Sequence, residues 1–125
     1  MSDTALRGVV VCHGPLAEAM IAAAEHISGV TGALTPVSNS GCDRASIERR
    51  VAEAVGQGPA IVFVDMPSGS CMFAAMQTLK AIAGVKVVTG VNLAMLVDFI
   101  FHRELPAAEA AERAVRAGAA AIKVP

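Results

Sequence analysis

Four short apolar runs recur along the chain, and each breaks into a segment whose apolar residues fall at helical spacing. The first, Val9-Val10-Val11-Cys12, shows no polar alternation, the pattern of a strand buried on both faces as in a parallel sheet. It breaks at His13-Gly14-Pro15. A helix opens there with Leu16, Met20, Ala23 and Ile27 as its apolar stripe, and stops at Gly29. Pro15 suits the first helical position, because its missing N–H would have no partner there, and Gly14 lets backbone approach whatever lies above the turn. Residues 32–37 form a weaker second strand; Pro36 cannot donate to a ladder, so that strand belongs on an edge. Asp43 caps a second helix that carries Ile47, Val51 and Val55 inward. Arg44, Glu48, Arg49, Arg50 and Glu53 read as its solvated face.

Gly56-Gln57-Gly58-Pro59 is a strong breaker, and Ala60-Ile61-Val62-Phe63-Val64 is the clearest strand in the chain. It ends at Asp65, and a turn through Met66-Pro67-Ser68-Gly69-Ser70 leads into a third helix. Leu79 and Ile82 fall in that helix's buried stripe, and Gly84 closes it. Residues 85–88 are a fourth strand, and Asn92 caps a fourth helix with Leu93, Leu96 and Ile100 on one side. Pro106 starts an Ala-rich helix that runs to Gly118; the tail, 119–125, fits either continued helix or a short fifth strand.

Strands alternating with helices at this pace predict an α/β fold, a three-layer sandwich around a mostly parallel sheet with right-handed crossovers. With strand 2 on an edge, the predicted order is 2-1-3-4. Such an order has its topological switch point between strands 1 and 3, where open α/β sheets bind ligands at the carboxyl ends. His13 follows strand 1 and Asp65 follows strand 3, so the topology puts them on neighbouring loops.

Composition narrows the chemistry. The 125 residues are 54% hydrophobic with a formal charge of −1, which excludes a disordered chain and gives no electrostatic reason to expect nucleic acid. There is no Trp or Tyr to make a base-stacking platform. No apolar stretch is long enough to cross a bilayer, and the first residues lack a basic-then-apolar signal pattern, so a cytoplasmic protein is expected. Cys12, Cys42 and Cys71 are odd in number and lack CxxC spacing, which indicates neither a disulfide framework nor a zinc motif.

His13 stands where a buried strand ends and a helix N-terminus opens, a place that favours an anion. A neutral imidazole accepts a phosphoryl group through one nitrogen while the other carries the proton. A carboxylate on that N–H fixes the tautomer and stabilises the positive ring, so His13 with Asp65 makes a chemically sensible catalytic pair. Phosphoryl oxygens need donors, and candidates are the backbone N–H groups of Gly14, Leu16 and Ala17 together with the Ser68-Gly69-Ser70 turn. Blander roles compete: His13 as a turn residue bonded to a carbonyl, Asp65 as a turn or capping carboxylate, Ser70 as a helix cap. His26 and His102 sit at helix ends, and Met66, Met72, Met76 and Met95 read as packing. One other chemistry competes. Cys12, Cys42 and Cys71 all fall near carboxyl ends of strands, where with His13 they could serve as metal ligands or redox thiols of an enzyme.

The Val9–Gly14 run, Val62-Phe63-Val64-Asp65 with Ser68-Gly69-Ser70, and Thr89-Gly90-Val91-Asn92-Leu93-Ala94-Met95-Leu96 together resemble the IIA domain of the mannose-type bacterial phosphotransferase system. The resemblance spans nearly the whole chain, as a single domain over residues 1–125. It implies a phosphohistidine carrier needing no cofactor. His13 would take phosphate from the carrier protein HPr, charged through enzyme I from phosphoenolpyruvate, and pass it to a separate IIB protein that serves a membrane sugar permease. Any membrane contact would be peripheral, through that permease complex. Asp65 would hold the imidazole and Ser70 would lie at the phosphoryl site. It also implies homodimers that exchange a C-terminal strand, making Ile122-Lys123-Val124 an antiparallel fifth strand beside strand 4 of a second copy. A regulatory carrier without a transport role, or the phosphocarrier unit of dihydroxyacetone kinase, fits the same residues. The chain departs from the family in the Gly-Gly-Ser-Pro-x-Asn turn: in Pro67-Ser68-Gly69-Ser70-Cys71-Met72-Phe73 the proline is moved, Phe73 replaces the asparagine, and no aromatic residue precedes the glycine.

Overall fold

A computed structural model describes residues 5–125; the first four residues of the N-terminal segment read above for a signal pattern lie outside the described residues. Strands β1 (Arg7–Cys12), β2 (Leu34–Ser38), β3 (Ala60–Val64) and β4 (Val85–Thr89) form one sheet of order β2-β1-β3-β4. Every pairing is parallel, with Gly8 opposite both Leu34 and Ile61. The helices are α1 (Leu16–Ser28), α2 (Arg44–Val55), α3 (Ser70–Ala81), α4 (Leu93–Ile100) and α5 (Ala107–Ala120).

Successive strand side chains point to opposite faces, so each strand feeds two cores. Val10, Cys12, Ile61, Phe63 and Val88 pack with residues of α1, α4 and α5. Val9, Val11, Val62, Val64 and Val85 pack with α2 and α3. The sheet is therefore covered on both faces, which is why its two central strands are apolar almost throughout. β2 is an edge strand, as Pro36 requires, and β4 is the other. Asp43 and Asn92 cap their helices as expected, accepting from the Ser46 and Met95 amides.

Several helical expectations are corrected. The buried face of α1 is Ala17, Ile21 and Ala24, one position from the expected stripe; Leu16 is 42% and Ile27 58% exposed. Small alanines let the helix lie close to the sheet, and that close approach outweighs burial of the bulkier residues. Pro15 is the cap of α1 and not its first helical residue. α3 buries Cys71, Ala74, Ala75 and Thr78, whose hydroxyl donates to the Ala74 carbonyl. That helix ends at Ala81, leaving Ile82 in extended backbone beyond it and Gly84 outside. α5 continues through Gly118 because the glycine serves contact, not termination: a Cβ there would stand 2.5 Å from Met95 Cγ. The Gly118 carbonyl also accepts from Asn92 Nδ2. Residues 122–125 are neither helix nor strand, and the sheet has no fifth strand among the described residues.

Gly8 marks the tightest point between β1 and α4. A Cβ there would come within 2.5 Å of Phe99 Cε2 and 2.7 Å of Leu34 Cδ2. Phe99 cannot retreat, because it is fully buried and packs edge-to-face on Phe63 with ring centres 5.3 Å apart. Gly8→Ala should therefore destabilise the fold by about 1–3 kcal/mol, the usual cost of overpacking a close-packed core, read as a lower urea midpoint with unchanged slope.

Candidate functional site

β1 and β3 are hydrogen-bonded neighbours, so the residues just past their carboxyl ends must meet. Val91 N–H donates to the carbonyl of Val64, tying the end of β3 to the turn after β4. Beyond these ends His13 and Asp65 are joined twice. The His13 backbone N–H and its ring Nδ1 each lie 2.9 Å from Asp65 Oδ2. The imidazole is 46% exposed while the carboxylate is 11% exposed. An ionised carboxylate only accepts, so in the neutral ring Nδ1 carries the proton and Nε2 keeps its lone pair.

Nε2 faces the start of α3, where a Cβ on Gly69 would stand 3.8 Å from it. Gly69, the cap of α3, has φ 91° and ψ −172°, a conformation essentially reserved for glycine. No side chain caps α3, and its first turn holds no acidic residue. Ser70 is the first residue of the helix, not its cap as one reading had it. The opening of α3 thus leaves its positive end free for an anion.

The turn after β1 is held differently. Gly14 N–H donates to Asn39 Oδ1 at 3.1 Å, and Leu16 N–H points back to the His13 carbonyl at 3.4 Å. Ser38 Oγ donates to the Gly14 carbonyl at 2.7 Å. Two of the three amides proposed from sequence as phosphate donors, Gly14 and Leu16, are therefore already engaged, and Ser38 and Asn39 brace the turn that carries His13. Ser38 closes β2 and Asn39 follows it, beside the switch point, where the sequence pattern carries no signal for either brace.

The three cysteines do not form one cluster. Cys71 Sγ lies 3.9 Å from His13 Nδ1, and His13, Asp65 and Cys71 present ligand atoms within 4.8 Å of one another. Cys12 packs into the core on the opposite face of the sheet from Cys71. The Cys42 thiol sits against the Ser40 carbonyl at 3.5 Å. Burial, reinforced by the charge of Asp65, pushes the Cys12 thiol up to about 12 and the Cys71 thiol up to about 11. Neither is a thiolate at neutral pH, so neither is the activated nucleophile that a thiol enzyme needs.

The family model EIIA-man, described as the fructose IIA component of the phosphotransferase system, matches residues 8–116. The chain belongs to the EIIA-man family. Membership makes it a IIA component of a sugar phosphotransferase system, with a general role in phosphoryl transfer. The mannose/sorbose-specific IIA subunit from Enterococcus faecalis is similar in structure, with a TM-score of 0.86 at 21% identity, covering 97% of this chain and 95% of that one. An EIIA component from Streptococcus agalactiae has a TM-score of 0.87 at 16% identity, over 95% of this chain and 96% of that one. A IIA protein associated with the fucose utilization operon of Streptococcus pneumoniae has a TM-score of 0.77 at 23% identity, over 93% of both chains. These likenesses establish the shared fold. A search of the curated proteins finds no match.

Within this EIIA-man fold, the altered turn brings its own contact. The Arg44 guanidinium, expected on a solvated face, stacks over the Phe73 ring at 4.2 Å from its centre. Such a contact contributes about 0.5–1 kcal/mol at an exposed site, and it ties α2 to the first turn of α3. No helix among the described residues is long and apolar enough to cross a membrane.

Opposing effects set the acidity of Asp65. Burial favours its neutral form, but the backbone and ring hydrogen bonds from His13, and the charge of that ring, prevail and hold the carboxyl below its ordinary value. A carboxyl lowered on folding lends stability that is complete above the unfolded pKa, about 3.9, and is lost as pH falls through the folded value. Denaturant midpoints of the wild-type protein should therefore drop below about pH 4, and Asp65→Asn should flatten part of that drop.

Proposed function

We propose that the protein is a phosphohistidine carrier that accepts a phosphoryl group from HPr on His13 Nε2 and passes it to a separate IIB protein. The observation that carries this reading is the double hold of Asp65 on His13, which commits Nδ1 as donor and turns the Nε2 lone pair toward the uncapped opening of α3. The lone pair attacks phosphorus as the P–N bond to the donor histidine breaks, and the donor ring recovers its electron pair. The phosphorylated His13 ring is then positive, with its Nδ1–H against the Asp65 carboxylate. In the transition state charge spreads over the three equatorial oxygens. With the Gly14 and Leu16 amides engaged, the donors for those oxygens are the backbone N–H groups of Ser68, Gly69 and Ser70 and the hydroxyls of the two serines. The α3 dipole adds about 0.3–1 kcal/mol.

Phosphoenolpyruvate, enzyme I and a matched HPr should place one acid-labile, base-stable phosphate on the protein, absent in His13→Ala. Asp65→Asn should fold and accept the label slower by about a hundredfold or more, because a neutral amide cannot stabilise the charged ring. An unlabelled wild-type protein overturns the reading.

The second partner in this reading is another copy of the chain. The outer edge of β4 is unpaired in the described sheet, and beside it runs a groove lined by Val87, Val88, Ala111, Glu112, Val115 and Arg116. Ile122 and Val124 of the tail are 78% and 99% exposed. An exchanged tail pairing with that edge would bury both and close the ladder. Light scattering should then give a dimer, and deletion of residues 121–125 a monomer.

A further inference from the structure

His13, Asp65 and Cys71 come from three separate elements, and their ligand atoms converge on one point beside the imidazole. His13 Nδ1 is 2.9 Å from Asp65 Oδ2 and 3.9 Å from Cys71 Sγ. A zinc ion with N, O and S ligands at about 2.0–2.3 Å separates them by about 3.3–3.6 Å in a tetrahedron, so the Nδ1–Oδ2 and Nδ1–Sγ pairs each need a shift of only a few tenths of an ångström. A second observation points to the same place. Asp65 Oδ1 is buried, has no hydrogen-bond partner, and belongs to a side chain only 11% exposed. The carboxylate thus keeps acceptor capacity that no protein donor uses, and carboxylate, thiol and imidazole together are the donor set that a borderline-soft divalent cation takes.

We infer that His13 Nδ1, Asp65 Oδ2 and Cys71 Sγ form a three-ligand Zn²⁺ site, and that zinc bound there switches off phosphoryl acceptance. The exposed flank of the imidazole gives the ion its entry and leaves a fourth position to water. The protons balance as follows. Zinc takes the Nδ1 lone pair, so the single proton of the neutral ring moves to Nε2, and Cys71 releases its thiol proton to solvent. One proton leaves per zinc bound, and the centre of Zn²⁺, carboxylate and thiolate is neutral. Zinc takes the place of the proton between Nδ1 and Asp65 Oδ2, which still accepts from the His13 backbone N–H.

The consequence is a tautomer switch. Without zinc, Nδ1 holds the proton and Nε2 holds the reactive lone pair; with zinc, Nε2 is protonated and has no pair to offer phosphorus. The converse holds as well. A phosphoryl group on Nε2 leaves Nδ1 protonated in a positive ring, with nothing to give a metal. Zinc and phosphate are mutually exclusive on one imidazole through its two nitrogens, without overlapping in space.

Zinc binding stands apart from the proposed carrier function; only the inhibition rests on it. The full-length protein is titrated with ZnCl₂ against a chromophoric chelator, with proton release followed in weak buffer. One zinc per chain and one released proton are expected, with binding weakened by more than about tenfold in Cys71→Ala, the lower bound when even an outer-sphere partner of a metal ligand is lost. In case the variant misfolds, Co²⁺ added to the wild-type protein should give a thiolate charge-transfer band. Purified phospho-HPr, free of enzyme I, then labels both proteins. Zinc should suppress the wild-type label and leave Cys71→Ala labelled equally with and without the ion. No stoichiometric binding, equal affinity in Cys71→Ala, or binding without the thiolate band overturns the site. Full labelling of zinc-loaded wild-type protein overturns the switch. If zinc-free protein takes no label, the carrier reading falls, and the binding arm still decides whether the site exists.

Discussion

Two donors of one residue converge on a single carboxylate oxygen, and the rest of the site takes its geometry from that. The His13 amide fixes where the backbone leaves β1, and the His13 ring fixes which nitrogen is protonated; Asp65 Oδ2 accepts from both. A hydrogen bond to a charged acceptor is about twice as strong as a neutral one. It also orients the ring, which a lone imidazole on a turn would not be. Everything the site can do chemically follows from which nitrogen is left free.

That convergence is possible because the sheet permits little movement beneath it. Both faces of β1 and β3 are packed, and close approaches at Gly8 and Gly118 leave no room for side chains where helices lie against their neighbours. A close-packed core transmits position instead of absorbing it. The two loops are therefore carried by adjacent strands whose spacing is set by main-chain hydrogen bonds. The braces from Ser38 and Asn39 do the same for the turn after β1, using the neighbouring edge strand as their base.

The parts of this arrangement that were legible in the sequence are those with a backbone cause. Unalternated valine runs marked strands buried on both faces, Pro36 marked an edge, and the resulting order brought His13 and Asp65 to neighbouring loops before any coordinates. The helix faces were less legible, because helical spacing gives a period but not a phase. Leu16 and Ile27 drew the stripe of α1 off by one position, while the face that packs is made of Ala17 and Ala24. The same bias toward bulk chose Leu79 and Ile82 in α3 over Cys71, Ala74 and Ala75. Side-chain contacts between remote segments were not legible at all. Arg44 over Phe73 depends on how two helices pack, and Asn39 on Gly14 on a loop conformation, neither of which has a periodic signal. The meeting of Cys71 with His13 has none either, since no CxxC or His-x-His spacing precedes it.

The buried, unpartnered Oδ1 of Asp65 sharpens the contrast between the two carboxylate oxygens. An unsatisfied buried acceptor costs about 1–3 kcal/mol, so its persistence calls for a physical reason. If a protein donor filled Oδ1, the carboxylate would lose part of its basicity and hold the positive ring less firmly. Left unpaired, the full charge of the group acts through Oδ2 on His13, and the cost is borne by a fold whose two cores are closely packed. The neutral Cys71 thiol beside it is consistent with that balance: a thiolate there would compete with the carboxylate for the imidazole proton, and burial together with the charge of Asp65 prevents it. The same carboxylate and the same proton on sulfur are what a divalent cation would use and displace. The features that would suit His13 to accept a phosphoryl group also leave its other nitrogen open to capture.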